Sequence, residues 1–600
     1  MKELEIRRTE VNTFFKPVND TAAIEQLNKE LSADGGRTAV ISGCIDTQKV
    51  HISSAVAQNY KFMLVITSDE AKARNMCDDA AFFNGEALYY PAKDAIFYSA
   101  DVTGNQITGQ RLKCISRLIE HIKAVDSKDG QDGGLLTLVT TIDGVSDRLV
   151  PLKRYMESVI TIDSTSEIDK EKLAKKMVQM GFTRTGMVED KGQFSIRGGI
   201  IDIFSYTDEA PVRIELWDTE VDSIRMFDAE SQRSIEKLKS YHIFPATEFL
   251  FTEEEKQAGL DKIRKERDEQ LECFDYGKRK RTQEQIEAGN NINKLVGDVE
   301  RTGNYSKFLD TIIKDTAGLI EYFPVEDTLI VLDEPNRLKE CNELTLYEYG
   351  ESMKNRLAAG YVLPSQTNKI KTLNEIISDM KHNKKLILTT LDYKPEGFDI
   401  DYKMHVEARS ISSYNNSFEY LTKDLIKYKK SGYTTVLVCS SRTRAQRIVD
   451  DLGKLDIPAF YSEDFSKDYE KGLIIVTYGS LHKGFEYPVL SFVVIAENDI
   501  FTSKRIKKLK KKKHDGKNIA SFNELNIGDY VVHENHGLGV YKGIEKIKVD
   551  GVEKDYIKIT YADNGNLYVL ATQLDRLQKY ADQDVEKKPK LNKIGGSEWG

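Results

Sequence analysis

Cysteine is sparse and scattered. Cys44, Cys77, Cys114, Cys273, Cys341 and Cys439 are the only six in 600 residues, and no two form a C-x-x-C pair. That excludes the usual zinc spacings, gives no disulfide framework and suits a reducing cytosol. A run of about 18 apolar residues, the length a membrane-spanning helix needs, is absent. The opening MKELEIRRTEVNTFF lacks the apolar centre of a secretory signal. An excess of basic charge is missing as well. With 87 Lys and Arg against 96 Asp and Glu the formal net charge is −9, so the surface is not broadly coated for nucleic acid. There is no internal repeat.

What is present is ordinary for a globular chain, 40% hydrophobic and 30% charged, in a length that predicts roughly four domains. Residues 37–140 alternate β-rich runs with helical stretches. Runs at 38–41, 62–66 and 135–141 are predicted strands of a doubly wound parallel sheet. Asp169 caps a helix with Leu173, Met177 and Met180 on one face, and Gly181 ends it. A β-rich module then runs to about residue 245. Residues 252–300, dense in Glu, Lys, Arg and Gln, predict long solvated helices. Residues 329–332 form a buried strand ending at Asp333-Glu334. The parallel sheet is expected to resume there, which makes the β-rich module an insertion. Residues 400–500 read as a second, smaller α/β unit with strands at 434–439, 473–477 and 492–495. KRIKKLKKKK, at 504–513, is a basic linker, with a weak phosphate-backbone contact as its functional alternative. From Leu525 the turn pairs Asp550-Gly551 and Asn564-Gly565 bracket an alternating run at 556–561, which predicts a small barrel. His533 and His536 lack a metal partner set and read as structural.

The most informative stretch is QFSIRGGIIDIFSYTDEAPVRIELWDTEVDSIRMF, residues 193–227. Phe194, Ile196, Ile200 and Ile203 bracket a Gly198-Gly199 kink, and Val212, Ile214 and Leu216 alternate with Arg213 and Glu215. A period of two sets Arg213 and Glu215 on an outward face, with Arg197 on its rim. The pattern is a curled, mostly antiparallel sheet with no nucleophile, metal cluster or general base. It is either a docking surface or a solvated face with weak cross-strand ion pairs. The string closely resembles domain 2 of the excision-repair protein UvrB and of its relatives, the transcription-repair coupling factors. The family uses that domain to dock UvrA. The resemblance implies UvrA contacts at Arg184, Arg197, Arg213 and Glu215. Where UvrB has one further arginine this chain has Ser195, which implies a differently balanced contact.

The strand at 38–41 leads into Ser42-Gly43-Cys44-Ile45-Asp46-Thr47-Gln48-Lys49-Val50, the place of a phosphate-binding loop with pattern G-x-x-x-x-G-K-[ST]. Gly43 and Lys49 fit. The second glycine is Gln48, whose side chain intrudes where backbone amides must close on phosphates. The hydroxyl that would hold magnesium is Val50. Asp46 adds a negative charge among the phosphate positions. The loop is expected not to bind nucleotide tightly, and Asp333-Glu334 is expected to be a pair of strand-end acids facing solvent. This degenerate loop resembles that of the coupling factors, not the working loop of UvrB. The stretch 89–98 is too short for the Tyr-rich DNA clamp of UvrB, so Tyr89 and Tyr90 are expected to be core or edge aromatics.

Residues 527–577 resemble the CarD-type module that serves these factors as an RNA polymerase-interacting domain. The resemblance implies that an edge strand near 544–549 pairs with the polymerase β subunit, with Ile547 in the family's apolar contact position beside Ile544, Glu545, Lys546 and Lys548.

The expected fold class is α/β multidomain: a degenerate RecA-like parallel sheet with an inserted α+β docking domain, a second small α/β domain, and a C-terminal small β-barrel of Tudor/CarD type. The expected divisions are 1–145 and 246–399 for the parallel sheet, 146–245 for docking, 400–500, a linker at 501–520, the barrel at 521–582 and a tether at 583–600. The resemblance implies a bacterial, cytoplasmic factor of transcription-coupled nucleotide-excision repair. Its partners are the RNA polymerase β subunit and UvrA, with no membrane. ATP, magnesium and double-stranded DNA are expected to be handled by a motor that lies outside these residues, since no complete phosphate loop occurs in them. The chain is expected to be non-catalytic, without a cofactor, and to bind UvrA constitutively because a masking domain is absent. Two alternatives stay open: a CarD-type polymerase-binding regulator on a UvrB-like scaffold, and an atypical UvrB-like ATPase.

Overall fold

The computed structural model describes residues 12–93, 104–127, 134–274, 281–467, 469–501, 517–518, 528–533, 537–549, 552–561, 566–570 and 577–579. The chain divides into two compact units. One comprises 1–266, 296–350 and 364–502, and the other 267–295, 351–363 and 503–600.

The first unit is built on a seven-stranded sheet in the order Tyr402–His405, Thr38–Ser42, Lys384–Thr389, Thr328–Asp333, Phe62–Thr67, Leu136–Thr141, Ala87–Tyr90, and every pairing is parallel. Its central strands are buried along their whole length, as a parallel sheet covered on both faces demands. The return of the chain at Thr328–Asp333, between Phe62–Thr67 and Lys384–Thr389, confirms that the intervening β-rich module is an insertion. Tyr90 is buried and Tyr89 half-buried on the edge strand, as expected of core and edge aromatics. One boundary differs from expectation. Tyr402–His405 pairs with Thr38–Ser42, so the large sheet extends past residue 400.

The insertion is a six-stranded sheet in the order Ser234–Lys237, Glu220–Phe227, Val212–Trp217, Ile200–Phe204, Gln193–Arg197, Thr183–Arg184, antiparallel except for its last pair. Gly198-Gly199 is the turn of a hairpin between two of these strands, not a kink within one. Gly198 has φ +60°, and a Cβ on Gly199 would lie 2.8 Å from the Leu216 carbonyl oxygen, so both positions need glycine. The helix Lys170–Gln179 is capped by the Asp169 carboxylate and ends before Gly181 at φ +90°. Its Leu173 and Met177 pack with Phe194, Ile201, Ile203, Val212 and Ile214 into a separate core.

The small α/β part orders its strands Arg409–Ser410, Phe485–Tyr487, Phe492–Ala496, Thr434–Cys439, Ile474–Tyr478, Ala459–Tyr461. Val436, Val438, Ile475, Phe485 and Val494 share one buried cluster with Ile41, Val65 and Val331 of the large sheet and with Val50 of the helix Asp46–Ala57. The long helices Glu253–Phe274 and Gln283–Thr302 stand where the charged stretch predicts them.

In the second unit the C-terminal strands form an antiparallel sheet in the order Lys517–Asn518, Leu577–Lys579, Tyr530–His533, Gly537–Val549, Val552–Thr560, Asn566–Leu570. The basic run at 504–513, His536 and the turn pairs Asp550-Gly551 and Asn564-Gly565 lie outside the described residues. Among the described residues no helix is long and apolar enough to cross a membrane.

Candidate functional site: a filled phosphate loop and a charged sheet

The strand Thr38–Ser42 delivers the chain into helix Asp46–Ala57 through Gly43, at φ +83°. A Cβ there would sit 2.1 Å from the Val406 carbonyl oxygen, so only glycine lets the loop close against the neighbouring segment. Two of the loop amides are already engaged. Cys44 N–H donates to the Thr389 carbonyl at 3.0 Å, and Ile45 N–H to Gln48 Oε1 at 3.0 Å.

Gln48 then fills the pocket. Its Nε2 donates to the Tyr487 hydroxyl at 3.0 Å, and that hydroxyl lies 3.0 Å from His51 Nδ1. His51 Nε2 stands 2.8 Å from the Phe14 carbonyl oxygen. A carbonyl only accepts, so Nε2 carries the proton, Nδ1 is the acceptor, and Tyr487 donates to it. Burial pushes the His51 imidazole down to about 4, which keeps this neutral tautomer. The same burial pushes the Cys44 thiol up to about 12 and leaves it inert.

Lys49 is equally committed. Its Nζ meets Asp333 Oδ1 at 2.8 Å and Glu334 Oε1 at 2.7 Å, with its side chain 4% exposed and that of Asp333 0%. Lys72 also pairs with Asp333, and Thr67 Oγ1 donates to it at 2.7 Å. Burial works to raise the Asp333 carboxyl, but the two ammoniums outweigh it and hold it below the usual carboxylate range. The expectation that Asp333 and Glu334 face solvent is therefore wrong. Asp333 ends a central strand directly under the helix that carries Lys49, and Glu334 is tied down by Thr390 N–H and Oγ1, each at 2.7 Å. Asp46 turns away from the phosphate positions to pair with Lys483 at 3.0 Å. Thr47 Oγ1 donates to Asp79 at 2.8 Å, and Asp79 accepts from His482 N–H at 2.9 Å. Val50 is buried in the shared core.

The charged sheet handles similar groups at the surface. Strand register aligns Ser195, Asp202, Arg213 and Arg225 in one row and Arg197, Ile200, Glu215 and Ser223 in the next. The buried Asp202 carboxylate accepts from Arg197 Nη2 at 2.9 Å and from Arg213 Nε and Nη2 at 2.7 and 2.9 Å. Arg213 also stacks its guanidinium 4.3 Å over the Phe227 ring and is only 12% exposed, against 46% for Arg197. Arg213 thus lies flat in the sheet, contrary to the outward reach expected of it, because Asp202 and Phe227 hold it on both sides. Glu215 accepts from Arg225 and Ser223. Arg184 is exposed on the edge strand, in register with the core residue Phe194, and so stands outside the two rows. Ser195 is buried and donates to the Gly186 carbonyl at 3.0 Å.

The strand Gly537–Val549 pairs with Tyr530–His533 only as far as Val540, whereas residues 544–549 pair with Val552–Thr560 alone among the described pairings. Ile544, Lys546, Ile547 and Lys548 lie on this extension, and one backbone edge beside them has no neighbouring strand among the described residues. Among the described residues no group of three or more His, Cys, Asp or Glu could hold a metal.

Tyr487, His51, Lys72, Asp79 and Asp202 escaped the sequence reading. Tyr487 is 439 positions from Gln48, and no local pattern marks it. Asp202 alternates correctly with Ile201 and Ile203, and a carboxylate at such a position between two arginine strands was the available signal.

Residues 160–249 match the UvrB interaction domain, and residues 525–581 match the CarD-like/TRCF RID domain. The chain is 32% identical, over 98% of its length, to the transcription-repair-coupling factor of Bacillus subtilis (strain 168), of which the match covers 48%. It is 29% identical over 94% of its length to that of Staphylococcus haemolyticus (strain JCSC1435), covering 47%. The figures for Staphylococcus aureus (strain Mu50 / ATCC 700699) are again 29%, 94% and 47%. The chain spans about half the length of the curated relatives it matches.

Proposed function

From its kinship with the transcription-repair-coupling factors as premise, we propose that this chain is a two-sided adaptor of transcription-coupled nucleotide-excision repair. One side is the charged sheet, which presents Arg184, Arg197, Arg213 and Glu215 to UvrA. The other is the C-terminal sheet, folded as a small CarD-type barrel. It offers the backbone edge at 544–549 to the RNA polymerase β subunit by strand addition, with Ile547 as the apolar contact and Ile544, Lys546 and Lys548 around it. The large parallel sheet is a nucleotide-free relic of RecA type. In this reading the boundary expected at 400 moves beyond His405, which pairs with the large sheet.

The observation that carries the reading is the pair of surface rows centred on Asp202. They place the half-exposed Arg197 guanidinium on a pre-ordered face inside the segment that matches the UvrB interaction domain. Cations whose geometry is fixed beforehand lose little entropy on binding. The inert pocket rests on Lys49 and Gln48, whose polar atoms already have partners inside the fold.

Purified chain should capture UvrA, and Arg184→Ala together with Arg197→Ala should abolish capture while polymerase β binding persists. Ile547→Asp should do the reverse. Loss of neither interaction in these variants overturns the adaptor reading, and saturable micromolar ATP binding overturns the inert pocket.

A further inference from the structure

The inserted module begins and ends in one antiparallel ribbon, Ile160–Asp163 against Ser240–Ile243, whose Ile162, Tyr241 and Ile243 belong to its own core. Two chain crossings join it to the large sheet, at residues 147–159 and 244–250. Beside them, a cleft of about 310 Å³ separates the module from the helix Gly104–Asp126, with Lys113, Ser116 and Arg117 on one wall and Thr207, Asp208 and Tyr241 on the other. Tyr206 packs against the helix at Gly109, where a Cβ would lie 2.7 Å from its ring. Lys113 pairs with Glu209 at 3.1 Å, both exposed. An open polar cleft and a solvated ion pair hold an orientation weakly.

The crossings themselves meet at one side chain. Arg111 of the same helix is fully buried. Its Nη1 stands 2.8 Å from Asp147 Oδ2 on the outgoing crossing and donates to the Pro91 carbonyl at 3.0 Å. Its Nε donates to Glu248 Oε2 on the returning crossing at 3.1 Å. Its guanidinium lies 4.4 Å over the Tyr90 ring of the sheet's edge strand. Lys93 Nζ reaches the same Glu248 oxygen at 2.8 Å. Burial works to raise the Glu248 carboxyl, but Arg111 and Lys93 outweigh it and keep it ionised. The Tyr155 hydroxyl donates to the Glu248 carbonyl at 2.8 Å, which ties the two crossings to each other. A planar guanidinium can serve two carboxylates and a carbonyl at once, which a single ammonium cannot do in fixed geometry. Once buried, its charge leaves such partners only at high cost.

We propose that Arg111 is a positioning residue that clasps both crossings and so fixes the direction in which the inserted sheet points from the parallel sheet. Without it the module stays folded on its own core but swings about its two necks. The inference concerns orientation and holds whichever partner the inserted sheet meets.

The test measures nitroxide distance distributions by pulsed electron spin resonance on the full chain. Cys273→Ser and Cys341→Ser remove the two cysteines that are not buried. Ala71→Cys and Lys175→Cys place one label on the large-sheet part and one on the module, and Lys175→Cys with Asp222→Cys places both on the module. The parent should give a narrow distribution for each pair. Arg111→Lys should broaden the first roughly twofold or more while the second keeps its width. If Arg111→Lys does not fold, Arg111→Met with Glu248→Gln, which removes the cation and its carboxylate together, decides by the same criterion. A lowered melting temperature with the parental width in the first pair overturns the proposal, because the role is then structural only. A parent that is already broad overturns it as well.

Discussion

The loop at residues 42–50 and the 193–227 sheet are made of the same materials, glycine at a tight turn and cations beside carboxylates, yet the loop buries Lys49 whereas the sheet leaves Arg197 half-exposed. The Lys49 ammonium and the Gln48 amide find partners within the fold, and Tyr487 of the small α/β part closes over Gln48. Around Asp202 the carboxylate holds Arg213 in place and leaves Arg197 half in water. Burial is thus what separates a structural ion pair from a recognition surface. The same Coulomb attraction stabilises the fold in one place and orders the proposed binding face in the other.

Substitutions can break this contrast. The largest effect on stability is expected from Lys49→Met. It leaves Asp333 buried with one ammonium fewer and should cost roughly 3 kcal/mol in denaturant unfolding, with UvrA binding unchanged. A neutral outcome would mean that the pocket is solvated and the contrast is false.

The next largest concerns pH. The His51 imidazole falls from its ordinary 6.5 to about 4 in the fold, so between those values the unfolded chain binds the extra proton. Stability from this group is complete above 6.5 and is lost as pH drops toward 4, by about 3 kcal/mol in all. Burial raises the Asp499 carboxyl to about 6, which works in the opposite sense over part of the range. The clean measurement is therefore the stability difference between the parent and His51→Gln. It should shrink by that amount from pH 6.5 to 4, and a constant difference would show that His51 is charged or exposed.

Gln48→Gly restores the loop's missing glycine, and it sharpens the comparison further. It removes the bonds to Ile45 N–H and Tyr487 and places glycine in a helix, at a cost of about 2 kcal/mol. It should yield no ATP binding in a calorimetric titration, because Lys49 remains committed to Asp333 and Glu334. The smallest effect on stability belongs to Arg197→Ala, under ~1 kcal/mol for a half-exposed pair, although its UvrA affinity should fall about tenfold or more.

The sequence made the alternating elements readable because each follows from local rules. Buried β runs gave the parallel strands, Asp169 and Gly181 bounded their helix, and the period of two sorted Ile214 from Arg213. The departures from the phosphate-loop pattern at Gln48 and Val50 were equally plain. The partners of Gln48 and His51 were not. Tyr487 and Phe14 reach His51 from opposite ends of the chain, and such long-range pairing leaves no mark in a local window. The burial of Asp333 was missed for the same reason, since a strand-end acid looks solvated until the helix above it is placed. Arg213 was read as reaching outward because alternation fixes a side, not whether a neighbour such as Phe227 pins the group flat.

Ser195 has a consequence for engineering. It stands in the same row as Asp202, whose two oxygens are already taken by Arg197 and Arg213, and it turns inward to satisfy the Gly186 carbonyl. Grafting the UvrB arginine onto this position would strand that carbonyl and add a third guanidinium with no free acceptor in its row. An arginine at position 195 would therefore need a new acceptor supplied with it.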